Sequence, residues 1–247
     1  MRAIPRSSLW LPCLLCLPAL QAEVRFVDVT QEWGLDFRHH HGGSGQRYLI
    51  ETMAGGVVLF DFDGDGDDDV FFVDGSPLPG YQGPPPRSRL YRNEGGGRFV
   101  DVIDRSRIEI EAYGGGGTAG DVDNDGDQDL YISSLGPNQL LRNNGDGTFS
   151  DISDQAGVAD SGFGASAAFA DPDRDGDLDL YLANYVEFTP ATHRPCIQQE
   201  LEVYCFPRNY KPQPDRYFRN LGDGTFEEAL TEVGLAGLET SAGLGVA

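Results

Sequence analysis

Short runs of apolar residues alternate along the chain with stretches rich in Gly, Asp and Asn. The runs GGVVLF, DVFFVDG, RLYRN and RFVDVI contain many β-branched or aromatic residues and are bounded by turn-forming residues. Segments of this length and composition are typical of β-strands. The pattern therefore predicts an all-β chain and indicates no helix in the repeated part of the sequence.

A hairpin motif recurs three times, as LYRNEGGGRF from Leu90, LLRNNGDGTF from Leu140 and YFRNLGDGTF from Tyr217. The Gly-Asp-Gly tripeptide in the last two copies predicts a tight turn, because Asp-Gly tolerates the positive φ angles that such a turn needs. A strand such as FVDVI follows each turn. The N-terminal FVDVT at 26–30 matches that strand, which predicts the fourth strand of a unit that lacks its first three.

An acidic motif alternates with the hairpin motif. It reads DFDGDGDDD at 61–69, DVDNDGDQD at 121–129 and DPDRDGDLD at 171–179. The distance from the hairpin Arg to the next acidic motif is 29 residues in both complete cases, whereas the reverse distance varies. The variable half contains a Pro-rich insertion at 76–86 and a Cys-containing insertion at about 188–214, which are expected to be loops on a repeat scaffold.

Four strands per repeat, joined by tight turns, are typical of a β-propeller blade. A β-solenoid is the main alternative, but its coils are usually shorter. The repeats predict three whole blades at about 54–104, 113–158 and 162–236, with partial blades at both ends. The final SAGLGVA matches the runs before the other acidic loops, so a fourth blade is expected to start at 240–247 and the chain is interpreted as truncated.

Charge and the N-terminal segment narrow the class of protein. The 247 residues carry a formal net charge of -22, which argues against nucleic acid or an anionic membrane as partner, since both attract Lys and Arg. Residues 1–22 combine Arg2 and Arg6 with a short apolar run, as in a secretory signal peptide. A lipoprotein anchor through Cys13 or Cys16 is a minor alternative. We expect a secreted protein, extracellular or periplasmic, without membrane insertion after signal removal.

Two cysteines, Cys196 and Cys205, are left in the mature chain. In an exported protein, two cysteines this close favour a disulfide that closes a small loop. Metal ligation is the alternative, but His193 is the only soft ligand near them. The sequence therefore predicts a Cys196–Cys205 disulfide.

The acidic motif has the residue types of a Ca²⁺ loop. In D-x-D-x-D-G-x-x-D, carboxylates at positions 1, 3, 5 and 9 and a backbone carbonyl at position 7 can surround one ion, while Gly at position 6 allows a sharp turn. About three Ca²⁺ sites are therefore expected. Their residues are Asp61, Asp63, Asp65, Asp67 and Asp69; Asp121, Asp123, Asp125, Asp127 and Asp129; Asp171, Asp173, Asp175, Asp177 and Asp179.

Two alternatives to this assignment fit less well. An EF-hand needs an acid at position 12, where the chain has Phe72, Ile132 and Leu182. Mg²⁺ prefers small, water-rich octahedral sites over a cage of carboxylates. The three loops hold 16 of the 40 acidic residues, so bound cations would relieve much of their repulsion, and stability is expected to depend on Ca²⁺.

These motifs resemble FG-GAP (VCBS-type) repeats, as in the propellers of integrin α-subunits. The stretches ETMAGGVVLFDFDGDGDDD and YCFPRNYKPQPDRYFRNLGDGTF are similar to the cartilage acidic protein 1 family, which is associated with ASPIC/UnbV domains. The resemblance implies a calcium-stabilised extracytoplasmic propeller with a role in adhesion or interaction. Phe206 stands after Cys205 where that family leads us to expect Gly, so the tip of this loop is expected to differ.

Other candidate residues are weaker. Three adjacent histidines, His39 to His41, are expected in a solvated loop. The hairpin Arg-Asn pairs, Arg92-Asn93, Arg142-Asn143 and Arg219-Asn220, are expected to bond to a neighbouring turn. The Cys-containing insertion mixes aromatic and cationic side chains that suit sugar or protein contacts, or else packs as a cap over a blade. Its candidate ligand contacts are Tyr204, Phe206, Arg208, Tyr210 and Arg216.

The sequence favours a non-catalytic module for adhesion or for binding an extracellular protein or carbohydrate. It contains no G-x-S-x-G, H-E-x-x-H or P-loop pattern, and its acidic clusters already have a metal-binding interpretation. The alternative is the propeller part of a polysaccharide-active lyase or hydrolase, in which the Cys-containing insertion shapes the substrate cleft. Acidic linkers of the thrombospondin type 3 class are less suitable, because they are rich in Cys and lack the apolar strands.

Overall fold

The computed structural model describes residues 24–53 and 55–235. The predicted signal peptide (1–22) and the predicted start of a fourth blade (240–247) lie outside these residues. Within them, the strands form three four-stranded antiparallel sheets and one two-stranded hairpin. The prediction of an all-β chain with four strands per unit is confirmed.

The three large sheets share one topology, in which each strand pairs with the next strand in sequence. The third sheet carries an insertion between its second and third strands. The strands are β1 (Gly56–Phe60), β2 (Asp69–Val73), β3 (Arg89–Asn93) and β4 (Phe99–Asp101); β5 (Tyr113–Gly120), β6 (Asp129–Leu135), β7 (Gln139–Asn143) and β8 (Phe149–Asp151); β9 (Gly164–Ala170), β10 (Asp179–Asn184), β13 (Arg216–Asn220) and β14 (Phe226–Glu228), with β11 (Cys196–Gln198) and β12 (Leu201–Val203) in the insertion.

The strand register gives the acidic loops equivalent positions. Phe60 pairs with Asp69 across the first two strands of the first sheet. Gly120 pairs with Asp129 in the second sheet, and Ala170 pairs with Asp179 in the third. Each acidic loop therefore connects the first two strands of a sheet, and its last Asp is the first residue of the second strand.

The sheets pack side by side through their first strands, with β1 against β5 and β5 against β9. One apolar core joins the first and second sheets and includes Val58 and Ile132, and another joins the second and third. Small residues allow the close approach. A Cβ added to Gly117 would lie only 3.0 Å from Val58 Cγ2, so a side chain there would force its neighbours to shift.

Two elements differ from the sequence predictions. One-turn helices, α1 (Ile103–Ser106) and α2 (Ser153–Ala156), follow the fourth strands, although no helix was predicted. The cause is local, because Asp101 and Asp151 accept hydrogen bonds from the first helical N–H at 3.0 and 2.9 Å. Asp101 and Asp151 stand one residue before the N-cap, and each satisfies a backbone N–H of the first turn that has no partner within the helix.

The predicted strand at 26–30 is not formed. Residues 24–29 have no strand assignment, and Phe26 is 97% exposed. The segment reaches the first sheet further along the chain, where the Phe99 N–H donates to the Trp33 carbonyl at 2.8 Å and Phe37 stacks on Phe72. A strand needs a neighbour with which to pair its backbone groups, and the described residues provide none for 26–30.

The Cys-containing insertion folds back over the N-terminal segment. Glu202 pairs with Arg47 at 3.1 Å, and the Tyr204 hydroxyl donates to Glu51 at 2.8 Å. Tyr48 and Phe188 belong to the apolar cluster beneath it. The insertion therefore packs as a cap, which is one of the two interpretations left open by its sequence.

Candidate metal centres

The first carboxylate of each acidic loop organises the loop backbone. Asp61 accepts hydrogen bonds from the N–H groups of Gly64, Asp65 and Gly66 at 2.9, 3.1 and 2.8 Å. The equivalent Asp121 and Asp171 accept bonds from their own loops in the same way. The backbone of each loop thus curls around the position-1 carboxylate.

Glycine at position 6 makes this turn possible. Gly66, Gly126 and Gly176 have φ angles of +91°, +98° and +98°. These values lie in the region that residues with a Cβ rarely adopt. The glycine is therefore required by backbone conformation, and the 1-3-5-6-9 pattern has a geometric cause at its sixth position.

The last carboxylate of each loop is buried and anchors the loop to its sheet. Asp69, Asp129 and Asp179 have at most 1% of their surface exposed. In each case one oxygen accepts the backbone N–H of the hairpin Asn on the third strand of the same sheet, at 2.7–2.8 Å. The loop, the second strand and the third strand are therefore joined at a single carboxylate.

Burial makes two of these carboxylates costly to ionise. It raises the pKa of Asp69 from 3.8 to about 6 and that of Asp129 to about 7, because the charged form loses hydration. Burial is also the largest cause of the raised pKa values of Asp63 and Asp123, with the neighbouring Asp65 and Asp125 adding repulsion. A bound cation would compensate these charges.

The three loops bring together sets of oxygen atoms that lie within 4.8 Å of one another. The first two sets come from positions 1, 3 and 9, and the third comes from positions 1, 3 and 5. One oxygen of Asp123 is buried without a hydrogen-bond partner among the described residues, which leaves this atom available to coordinate a cation. Members of the sets are Asp61, Asp63 and Asp69; Asp121, Asp123 and Asp129; Asp171, Asp173 and Asp175.

The remaining predicted ligands lie outside these sets. At position 5, Asp65 and Asp125 accept the N–H of position 7 at 2.9 Å. The side chain of Asp177, at position 7, accepts a hydrogen bond from Asn124 of the preceding loop at 2.7 Å. Of the predicted site residues, Asp65, Asp67, Asp125, Asp127, Asp177 and Asp179 are therefore near a cluster without being part of it.

The hairpin Asn residues bond to neighbouring loops. Asn143 Nδ2 donates to the carbonyl oxygen of Phe62 in the preceding acidic loop at 2.8 Å, and Asn220 Nδ2 donates to that of Val122 at 2.8 Å. Their Arg neighbours act locally instead, for example Arg219, which pairs with Glu232 at 3.3 Å. In the second and third pairs, Asn is therefore the member that joins one unit to the preceding one, whereas Asn93 Nδ2 donates to the Asp68 carbonyl of its own loop at 3.1 Å.

The histidines lie in an irregular, largely exposed loop, as expected, but two of them also contact a buried carboxylate. His39 Nδ1 lies 2.9 Å from one oxygen of Asp74, and His40 Nδ1 lies 3.3 Å from the other. Asp74 is 1% exposed and also accepts the backbone N–H of Arg87 at 2.8 Å. The pair therefore holds the N-terminal segment against the end of β2, at a sequence distance that local patterns do not reveal.

The predicted Cys196–Cys205 disulfide is present, with a Cα–Cα distance of 5.2 Å. It lies in the wall of a cleft of about 1120 Å³ between the two insertions, at the ends of the strands opposite the acidic loops. Glu111 and Glu187 also line this cleft.

The predicted ligand-contact residues of the insertion do not share one surface. Tyr210 lines the cleft. Tyr204 bonds to Glu51, and Arg208 lies over the exposed Phe206 ring, 5.0 Å from its centroid. Arg216 is paired with Asp160 at 3.1 Å, so a structural ion pair already uses its charge.

One residue at the metal loops escaped the sequence analysis. Tyr217 occupies the first position of the third hairpin motif, where the other copies have Leu90 and Leu140. Its hydroxyl donates to Asp179. Two departures from the repeat pattern in the same unit could have revealed its role: Tyr217 in place of Leu, and Pro172 in the third acidic loop.

Among residues 24–53 and 55–235, no helix has the length and apolar character needed to cross a bilayer. A comparison with curated protein sequences finds no significant match. A solved structure described as the basis of specific recognition of non-reducing terminal N-acetylglucosamine by an Agrocybe aegerita lectin is 16% identical, with a TM-score of 0.37. The match covers 74% of this chain and 41% of that chain. Similarity at this level supports neither a shared fold nor a shared ligand.

A model of a protein family gives a more specific result. The FG-GAP-like repeat matches residues 61–132 and 121–182. These two ranges start at the first and second acidic loops and end in the second strand of the following sheet. The chain therefore contains FG-GAP-like repeats, and their acidic loops are its candidate metal centres.

Proposed function

We propose that the chain is a calcium-binding FG-GAP repeat module that serves in adhesion or in binding an extracellular protein or carbohydrate, without catalysis of its own. The observation that supports this most directly is the convergence of three carboxylates in each of three equivalent loops. FG-GAP-like repeats and a disulfide fit an extracellular protein. The stacked four-stranded sheets are in turn the blades of a β-propeller of the integrin-α type, and the chain is related to the cartilage acidic protein 1 family.

The donor set fits Ca²⁺ in its chemistry. All the clustered ligand atoms are carboxylate oxygens, which Ca²⁺ prefers. Positions 1 and 3 of each loop would hold the ion, joined by position 9 in the first two loops and by position 5 in the third. A bound Ca²⁺ ion would place positive charge beside the buried carboxylates of Asp69 and Asp129. It would therefore hold each of these loops against its sheet.

Titration calorimetry of the purified protein tests the metal proposal. We expect about three Ca²⁺ ions to bind and the melting temperature to rise with Ca²⁺ and fall with EDTA, because a ligand that binds only the folded state stabilises it. The triple variant Asp61→Asn, Asp121→Asn and Asp171→Asn should lose both effects. Asp68→Asn removes an exposed acid outside the clusters and is the matched control. A wild-type protein that neither binds Ca²⁺ nor responds to EDTA would refute the proposal.

A second candidate function is catalysis on a polysaccharide. The cleft between the insertions supports it, because two carboxylates, those of Glu111 and Glu187, lie in its lining, and carboxylates are the catalytic groups of glycoside hydrolysis. Turnover of a panel of polysaccharides that is abolished by Glu111→Gln or Glu187→Gln would favour this function. Binding without turnover would favour the interaction module.

A further inference from the structure

The third acidic loop differs from the others at its second residue. In the first two loops, the backbone N–H at position 2 belongs to Phe62 and Val122, and it donates at 3.0 Å to Oδ2 of the position-9 carboxylate of the same loop. The third loop has Pro172 at this position. Proline has no backbone N–H, so the loop cannot make this bond to Asp179.

Tyr217 supplies a donor to the same oxygen from a different part of the sheet. Its hydroxyl donates to Asp179 Oδ2, while Asp179 Oδ1 keeps the bond from the Asn220 N–H at 2.8 Å. The equivalent residues of the other units are Leu90 and Leu140, which have no polar atom to offer. The unit with proline in its loop is thus the unit with tyrosine at this position of its third strand.

Both partners are buried, with Tyr217 7% and Asp179 1% exposed. Burial and the adjacent Asp179 raise the pKa of Tyr217, so the hydroxyl keeps its proton at neutral pH and donates it. A hydrogen bond from O–H to a carboxylate is charge-assisted and roughly twice as strong as a neutral one. Among the three units that the structure describes, only this one therefore has a side chain that compensates part of the position-9 charge.

The three oxygen clusters also differ in whether they include the position-9 carboxylate. The position-9 carboxylate is part of the oxygen cluster in the first and second loops, whereas the third cluster consists of positions 1, 3 and 5 and excludes Asp179. The backbone of the third loop is also not tied to Asp179 through position 2.

We propose that Tyr217 is a positioning residue that holds Asp179 back from the ion, so that the third site binds Ca²⁺ more weakly than the other two and fills last. This inference rests on the proposed calcium-binding function. The module would then have two sites that stay filled at low Ca²⁺ and one that responds to a rise in its concentration. Losing one charge-assisted contact corresponds to a weakening of about tenfold.

The test compares two variants and a control by Ca²⁺ titration and by melting in EDTA. Pro172→Val with Tyr217→Leu converts the third unit to the residues of the second, Val122 and Leu140, and should make the three sites equivalent. Tyr217→Leu alone should tighten the weak site but lower the metal-free melting temperature, because the Asp179 oxygen loses its donor. Adding Pro172→Val should restore part of that melting temperature by returning the backbone N–H.

The control is Tyr181→Phe, which removes another Tyr-to-carboxylate hydrogen bond of the same sheet, to Asp215 at 2.8 Å, and should leave the weak site unchanged. Three equivalent sites in the wild type, or a weak site unaffected by Tyr217→Leu, would overturn this inference while leaving calcium binding intact. No Ca²⁺ binding at any site would instead overturn the proposed function, and this inference with it. Even in that case, the melting temperatures in EDTA would measure how stability changes when Asp179 loses the Tyr217 hydroxyl and when Pro172→Val returns a backbone N–H.

Discussion

Asn143 and Phe62 are 81 positions apart in the chain, yet Asn143 Nδ2 donates to the Phe62 carbonyl oxygen at 2.8 Å. The same amide also donates to the Gln128 carbonyl at 3.2 Å, within the acidic loop of its own unit. One side chain therefore joins two consecutive acidic loops. Asn220 repeats the arrangement one unit later, with bonds to Val122 and Leu178.

Replacing this amide should destabilise the fold. Asn143 is 1% exposed, so Asn143→Ala leaves the buried Phe62 carbonyl and the part-buried Gln128 carbonyl without this donor, and each buried unsatisfied group costs about 1–3 kcal/mol. We expect a loss of about 2–4 kcal/mol in the free energy of unfolding, measured by urea denaturation. The neighbouring Asn144 is exposed, and Asn144→Ala is the matched control. Equal stability of the two variants would show that the bridge contributes nothing.

Gly126→Ala should destabilise the second loop through its backbone alone. An added Cβ would meet no atom within 4 Å, but the φ angle of +98° disfavours any residue with a side chain. A cost of about 1–2 kcal/mol is expected from this conformation, and it should appear in thermal melts with and without Ca²⁺. Gly→Ala at a residue with ordinary backbone angles usually stabilises, so a rise in melting temperature would contradict the conformational explanation.

The strands, the acidic loops and the disulfide could be predicted because each depends on a local residue pattern. The strand and acidic-loop patterns also recur in three copies. Asp69, Asp129 and Asp179 follow the same rule, since the last Asp of the motif always begins the second strand. The pairing of His39 and His40 with Asp74 depends on a contact between residues about 34 positions apart, for which the chain offers one example and no repeat. Tyr217 was missed because its role appears only when Tyr217 and Asp179, 38 positions apart, are known to be in contact.

Removing the disulfide should loosen the insertion without affecting the metal loops. Cys196 and Cys205 close a short loop, and such cross-links stabilise by about 2–4 kcal/mol. The hairpin β11–β12 keeps its bonds to Arg47 and Glu51, so it should remain attached but exchange amide hydrogens faster after Cys196→Ser with Cys205→Ser. Hydrogen exchange at 196–205, compared with exchange at 121–129, measures this. Faster exchange at the acidic loop as well would show that the insertion supports the whole unit.

The metal-free protein should become more stable as the pH falls from 7.5 to 5.5. Burial raises the pKa of Asp129 to about 7 and that of Asp69 to about 6, above the ordinary value of 3.8. The folded state therefore binds more protons than the unfolded state in this range, so each group penalises folding when it is charged and the penalty disappears on protonation. Melting temperatures in EDTA at pH 7.5, 6.5 and 5.5 should rise in that order.

Calcium should reverse this dependence of stability on pH. The ion needs the charged carboxylates, so protons compete with it, and the apparent Ca²⁺ affinity should fall as the pH is lowered over the same range. Asp129→Asn removes the group with the higher pKa, and its metal-free melting temperature should therefore depend less on pH than that of the wild type, which separates this carboxyl from the general relief of the net charge of -22. If the variant and the wild type show the same slope, Asp129 is not the group that titrates.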